Sequence, residues 1–219
     1  GAYAPKTFAL TLKKPEKPAK LNEMTPLELP YNFTAITGQQ EMATADHPKT
    51  LSVPREIIPE TILSGGVEFK IGQGEKNALV CRGQTLKLPE GTRKLWLLAA
   101  SLDGDRQTIF EVGGKEQICF IPDWQEAIGA WDLVGLGETG YVKNGVLAWN
   151  ATHAHCEDGD ILAKQLYFFK VRVKIPEGVK EITLPKVEEV LILAATADGK
   201  DLSFNTAAPL FDTLKRRPF

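Results

Sequence analysis

The chain has 219 residues, 26 basic against 28 acidic, a formal charge of −2 and a hydrophobic share of 43%. This is the balance of an ordinary globular protein, which sets aside disorder and a membrane protein, and the longest basic cluster, Lys215-Arg216-Arg217, is too short to be the footprint of a nucleic-acid binder. No apolar run approaches the roughly 20 residues that cross a bilayer, and the opening Gly-Ala-Tyr-Ala-Pro-Lys does not read as a signal peptide.

Taken in chain order, residues 7–12 alternate like a strand and run into Lys13-Lys-Pro-Glu-Lys-Pro-Ala-Lys20, whose charge and prolines predict an extended linker. Residues 1–20 therefore read as a strand and linker that complete a preceding sheet or fold back on the main domain. Residues 21–64 are poor in periodicity and read mostly as loop, with a short strand at Leu29-Pro-Tyr-Asn-Phe-Thr34. Strands are predicted at 67–71, 79–81, 85–88, 95–100, 108–112 and 117–121, punctuated by Gly, Asp-Gly and Gly-Gly. A loop rich in Trp and Gly follows, then strands at 146–152, 166–173, 182–184 and 190–197. The tail, 206–219, spaces Leu210, Phe211 and Leu214 as a short helix would. The sum is an all-β protein, an antiparallel β-sandwich over 21–205.

One internal likeness stands out. Lys87-Leu-Pro-Glu-Gly91 leading to Leu97-Leu-Ala-Ala recurs as Lys174-Ile-Pro-Glu-Gly178 leading to Leu193-Ala-Ala-Thr. Two copies make no solenoid, and they predict two similarly placed strands in facing sheets.

Three stretches could carry chemistry. In Ile121-Pro-Asp-Trp124 and Ile128-Gly-Ala-Trp-Asp132, exposed Trp124 and Trp131 beside Asp132 would suit a sugar, since an indole stacks on a pyranose face while a carboxylate accepts from hydroxyls. The ordinary alternative, that both indoles plug the end of the sandwich, has the average burial of Trp on its side. Trp149 leads into His153-Ala-His155-Cys-Glu-Asp-Gly-Asp160, where an extended chain would point both imidazoles to one side, near Asp158 or Asp160. A solvated or hydrogen-bonded His pair is the simpler reading, and no metal and no cofactor are assigned. Asp103, Asp105, Asp123, Asp132, Asp158 and Asp160 sit mostly at turn signals, and the signatures of nucleophile elbows, phosphate loops and zinc proteases are missing. Cys81, Cys119 and Cys156 have no disulfide or metal-knuckle spacing and read as buried or half-buried thiols.

An ordered series of short pieces gives a resemblance. Pro5-Lys-Thr-Phe-Ala-Leu10, Leu29-Pro-Tyr-Asn32, Gly66-Val-Glu-Phe69, Leu88-Pro-Glu-Gly91, Leu97-Leu-Ala-Ala100, Gly129-Ala-Trp-Asp132, Thr152-His-Ala-His155 and Tyr167-Phe-Phe-Lys170 fall in the order seen in the C-terminal region of bacterial family 38 α-mannosidase-like glycoside hydrolases. The resemblance implies a jelly-roll or galactose-binding-like sandwich, periplasmic or extracellular placement, and a catalytic zinc domain that lies elsewhere. No catalytic residue carries over. The expected function is thus a non-catalytic, carbohydrate-associated accessory domain. A preceding catalytic or β domain would be its partner, and glycan would be contacted through Trp124, Trp131, Asp132, Trp149, His153, His155, Asp158 and Asp160. Two alternatives stand beside it: a stand-alone hydrolase using two of Asp123, Asp132, Asp158 and Asp160, and a purely structural or protein-interaction sandwich.

Overall fold

The computed structural model describes residues 24–38, 51–130 and 141–199. Its strands are β1 (Met24–Leu27), β2 (Ile36–Thr37), β3 (Val53–Pro54), β4 (Thr61–Ser64), β5 (Val67–Lys70), β6 (Leu79–Arg82), β7 (Thr85–Lys87), β8 (Lys94–Ser101) and β9 (Arg106–Val112). They continue as β10 (Lys115–Ile121), β11 (Gly129–Ala130), β12 (Tyr141–Val142), β13 (Val146–Ala151), β14 (Ala154–Cys156), β15 (Gly159–Ile161), β16 (Leu166–Lys174), β17 (Glu181–Thr183) and β18 (Lys186–Asp198). All ten strands predicted beyond residue 64 are present, and no helix occurs among the described residues.

Two sheets make the sandwich. The larger runs β1-β18-β8-β16-β13, with β6 also paired to the long β18; the smaller runs β10-β9-β17-β7. Every pairing within both is antiparallel. Burial follows position in these layers. On β9, in the smaller sheet, buried Thr108, Phe110 and Val112 alternate with exposed Gln107, Ile109 and Glu111, the period of a strand with one wet face. On β18, in the large sheet, all nine residues from 190 to 198 are buried, because this strand is covered on both faces. Leu95, Leu97 and Ala99 of β8 face Phe110, Val112, Cys119 and Ile121 of the small sheet. Leu98 and Ala100 face the opposite core with Ile36, Val53, Phe69, Trp124 and Phe168.

Two expectations need correcting. The described part of residues 21–64 is mostly outside strands, as expected, but it also supplies β1, β2, β3 and β4. Their pairings are long-range or very short, so local periodicity hides them: β1 pairs with β18, and β2 lies parallel to β3. At 29–34 the structure has no strand, only an isolated bridge from Phe33 to Ala78. The likeness between the two Pro-Glu-Gly segments is also placed differently. Both turns close alike, with Thr92 and Val179 amides donating to the carbonyls of Pro89 and Pro176, each at 3.3 Å, and with Gly91 and Gly178 at φ of 78° and 81°. The strands that follow, however, are neighbours in one sheet, with Leu97 opposite Ala195. The predicted strand at 7–12, the linker and the terminal helix lie outside the described residues.

The cysteines are two buried thiols, Cys81 and Cys119, and a half-buried Cys156. Burial pushes Cys81 up to about 12 and raises Cys119. A thiol reagent at pH 8 is therefore expected to label Cys156 first in the folded protein, with Cys81 labelled only on unfolding. Rapid native labelling of Cys81, read by peptide mass mapping, would contradict this packing.

Candidate histidine–carboxylate site

The hairpin β14–β15 sets His155 directly opposite Asp160, so their side chains share a face. The backbone of His155 is fixed from the other side: its amide and carbonyl exchange hydrogen bonds with Ser52, both at 3.1 Å. Ser52 leads into β3, and the turn just after β3 carries Glu56, closed by the Ile57 amide donating to the Pro54 carbonyl at 3.4 Å. Two distant parts of the sequence thereby deliver polar groups to one place.

There His155 Nε2 lies 3.0 Å from Glu56 Oε1 and 3.5 Å from Asp160 Oδ1, and His153 Nε2 lies 3.4 Å from the same Glu56 oxygen. The two rings are 5.9 Å apart between centroids. The other nitrogen of each ring faces a hydroxyl: His155 Nδ1 meets Thr37 Oγ1 at 3.4 Å, and His153 Nδ1 meets Thr152 Oγ1 at 3.3 Å. Thr37 is itself tied to Ser52 Oγ at 2.5 Å. His155 is fully buried, whereas the Glu56 side chain is 48% exposed, so the cluster has a closed floor and an open mouth. Partial burial acts to raise the Glu56 carboxyl. Its own backbone amide and the two imidazoles prevail, and the group sits below its usual range.

Of the residues read from the sequence as a ligand surface, His153, His155 and Asp160 are brought together. Asp158 is exposed in the turn of the hairpin, outside the cluster. Trp149 is half-buried on β13 against Phe168, with ring centroids 6.1 Å apart. Trp131 and Asp132 lie outside the described residues. Trp124 requires a correction. It is fully buried and packs edge-on to Phe168 at 6.3 Å, so it offers no face to a sugar and is the plug that its average burial favoured. Sequence reading missed Glu56, which lay in a stretch taken for loop, and no local signal marks it.

Asp123 and Asp105 are committed to the turns at 103–105 and 123–126. Asp123 Oδ1 accepts the amides of Gln125 and Glu126 at 2.6 and 2.7 Å, and its Oδ2 accepts that of Gly104 at 2.7 Å. Asp105 Oδ1 accepts the Asp123 amide at 2.7 Å and a charge-assisted bond from the buried Lys143 ammonium at 2.5 Å; the same ammonium bonds Glu126. These are anchors for a turn and for the β11–β12 ribbon, not groups left open to a substrate.

The sandwich and its parts can now be set against known families. The model of the AziU2-like beta-sandwich domain matches residues 23–201. The chain belongs to that family. No curated protein matches it. The stretch shared with the AziU2-like domains includes both sheets and all four residues of the cluster, Glu56, His153, His155 and Asp160. The family description names an architecture and no reaction. Among the described residues, no helix is long and apolar enough to cross a membrane.

Proposed function

We propose that this AziU2-like domain is a non-catalytic accessory module of an α-mannosidase-like glycoside hydrolase, placed in the periplasm or outside the cell, that contacts glycan at one end of its sandwich. The observation that carries the non-catalytic part is the use made of the carboxylates: Asp123 has both oxygens taken by backbone amides, and Asp160 faces an imidazole. A hydrolytic pair needs two carboxyls free toward one cleft. The ordered series of sequence pieces shared with the family 38 proteins supports the parent enzyme. The half-buried Trp149, on the strand leading into the His153 and His155 segment, supports glycan contact.

A protein-interaction role is the second reading, and one observation favours it. Ile109 and Ile118 are cross-strand partners on the outer face of the small sheet, 46% and 69% exposed, an apolar pair turned to solvent.

Titrating the whole chain with mannose-type oligosaccharides, read by Trp fluorescence, separates these. Saturable binding that Trp149→Ala or Trp131→Ala abolishes in a folded variant is the expected result, with no sugar released. Silence across the panel at millimolar sugar would favour the interaction sandwich. Hydrolysis lost in Asp123→Asn would return the hydrolase alternative.

A further inference from the structure

We infer that Glu56, His153 and His155, with Asp160 beside them, form a binding site for a borderline divalent cation of the Zn²⁺ class. The site shares His153, His155 and Asp160 with the expected glycan surface, but metal binding does not depend on the glycan reading.

Two imidazoles and carboxylate oxygens are the ligand set that such ions prefer over the all-oxygen cages of Ca²⁺ or Mg²⁺. Spacing comes next. Around a tetrahedral ion with bonds of about 2.0–2.2 Å, neighbouring donors stand roughly 3.3–3.5 Å apart. The contacts here are 3.0, 3.4 and 3.5 Å, and the ligand atoms of Glu56, His153 and His155 all lie within 4.8 Å of one another. Glu56 thus stands at shell spacing from both imidazoles, and side-chain rotation has to close the widest gap among the three donors.

Orientation is built in as well. Each imidazole turns Nε2 toward Glu56 and Nδ1 toward a hydroxyl, and an outer partner of this kind fixes ring and tautomer in metal-bound histidines. His155 is buried and backbone-locked to Ser52, while Asp160 is its cross-strand partner. Three protein donors on one ion leave a fourth position, open to a water or to Asp160, whose Oδ1 lies 3.5 Å from His155 Nε2. Its mechanical effect would be to clip the turn after β3 to the β14–β15 hairpin, joining segments about a hundred residues apart in sequence.

The test uses the tag-free full chain, stripped with chelator and titrated with Zn²⁺, and with Co²⁺ as an optical probe. One equivalent should bind, with a Co²⁺ absorption typical of tetrahedral nitrogen and oxygen ligands and a rise in thermal midpoint in proportion to metal excess. Losing an outer partner alone weakens metal binding about 10–100-fold. Glu56→Gln and His153→Gln, both at the open side and expected to fold, should therefore weaken it at least about 100-fold. Far-UV circular dichroism checks their folding. The proposal is overturned by the lack of stoichiometric binding in the parent chain, or by binding that both variants retain. Either result would leave a hydrogen-bonded histidine cluster only.

Discussion

Replacing Trp124 by Ala should lower the unfolding free energy by about 3–5 kcal/mol, the range for deleting a large aromatic from a packed core. The indole is fully buried, edge-on to Phe168 in the core layer that also holds Leu98, Ala100, Leu191 and Leu193. Its backbone is pinned on both sides, with the Trp124 amide donating to Ser101 and the Tyr167 amide donating to the Trp124 carbonyl, at 2.9 and 2.7 Å. The surroundings therefore cannot collapse into the void without breaking these bonds. Against a total stability of about 5–15 kcal/mol, a loss of this size is severe. For a chain of this length it corresponds to a fall of about 6–20 °C in melting midpoint. Chemical denaturation followed by circular dichroism gives the number directly. A loss below about 1 kcal/mol, joined to lost glycan affinity, would instead place this indole on a binding surface.

The second large effect is expected at Asn77, which is fully buried and stands in for missing backbone partners. Its Oδ1 accepts the amides of Ala35 and Ile36, both at 2.9 Å, and its Nδ2 donates to the carbonyl of Ile36 at 2.8 Å. Asn77→Ala leaves two buried amides without that acceptor, at about 1–3 kcal/mol each, so a loss of about 2–6 kcal/mol is expected. Asn77→Asp is a sharper probe. It keeps an acceptor for both amides but turns a charge toward the Ile36 carbonyl, and it should be no better tolerated than Ala. Because Ile36 and Thr37 form β2, and Thr37 sits beside His155, amide exchange should quicken at Ala35 and Ile36 and spread to His155. Unchanged exchange at these amides would contradict the link between the two regions.

The strand at Arg106–Val112 was legible because it faces water on one side, so its composition alternates. Val190–Asp198 was legible because a long apolar run between turn signals has few other uses. The Pro-Glu-Gly turns were also right as local conformations, but their placement in facing sheets was wrong, because the register of Leu97 against Ala195 is a contact between distant segments. Asn32 and Asn77 show the same limit. Each completes backbone pairing across more than 40 residues, Asn32 through bonds of 2.9 and 3.1 Å to Val80, and neither is distinguished in sequence from a turn or sequon asparagine.

At the site the division is sharper. A period of two was enough to put His153 and His155 on one side of an extended chain, and the Asp-Gly turn was enough to suggest Asp160 near them. That Glu56 closes the cluster follows only from β3 pairing with β2 and from Ser52 bridging to His155. The sequence by itself determined ten of the eighteen described strands, the Pro-Glu-Gly turns and the apolar faces of those strands, since these follow from backbone geometry and hydrophobic periodicity over a few residues. The tertiary structure alone decided which indole is buried, which carboxylates anchor loops, and which meets the histidines. Those outcomes depend on long-range pairing, and the free energy of such a pairing resides in the contact of two segments and in neither one alone.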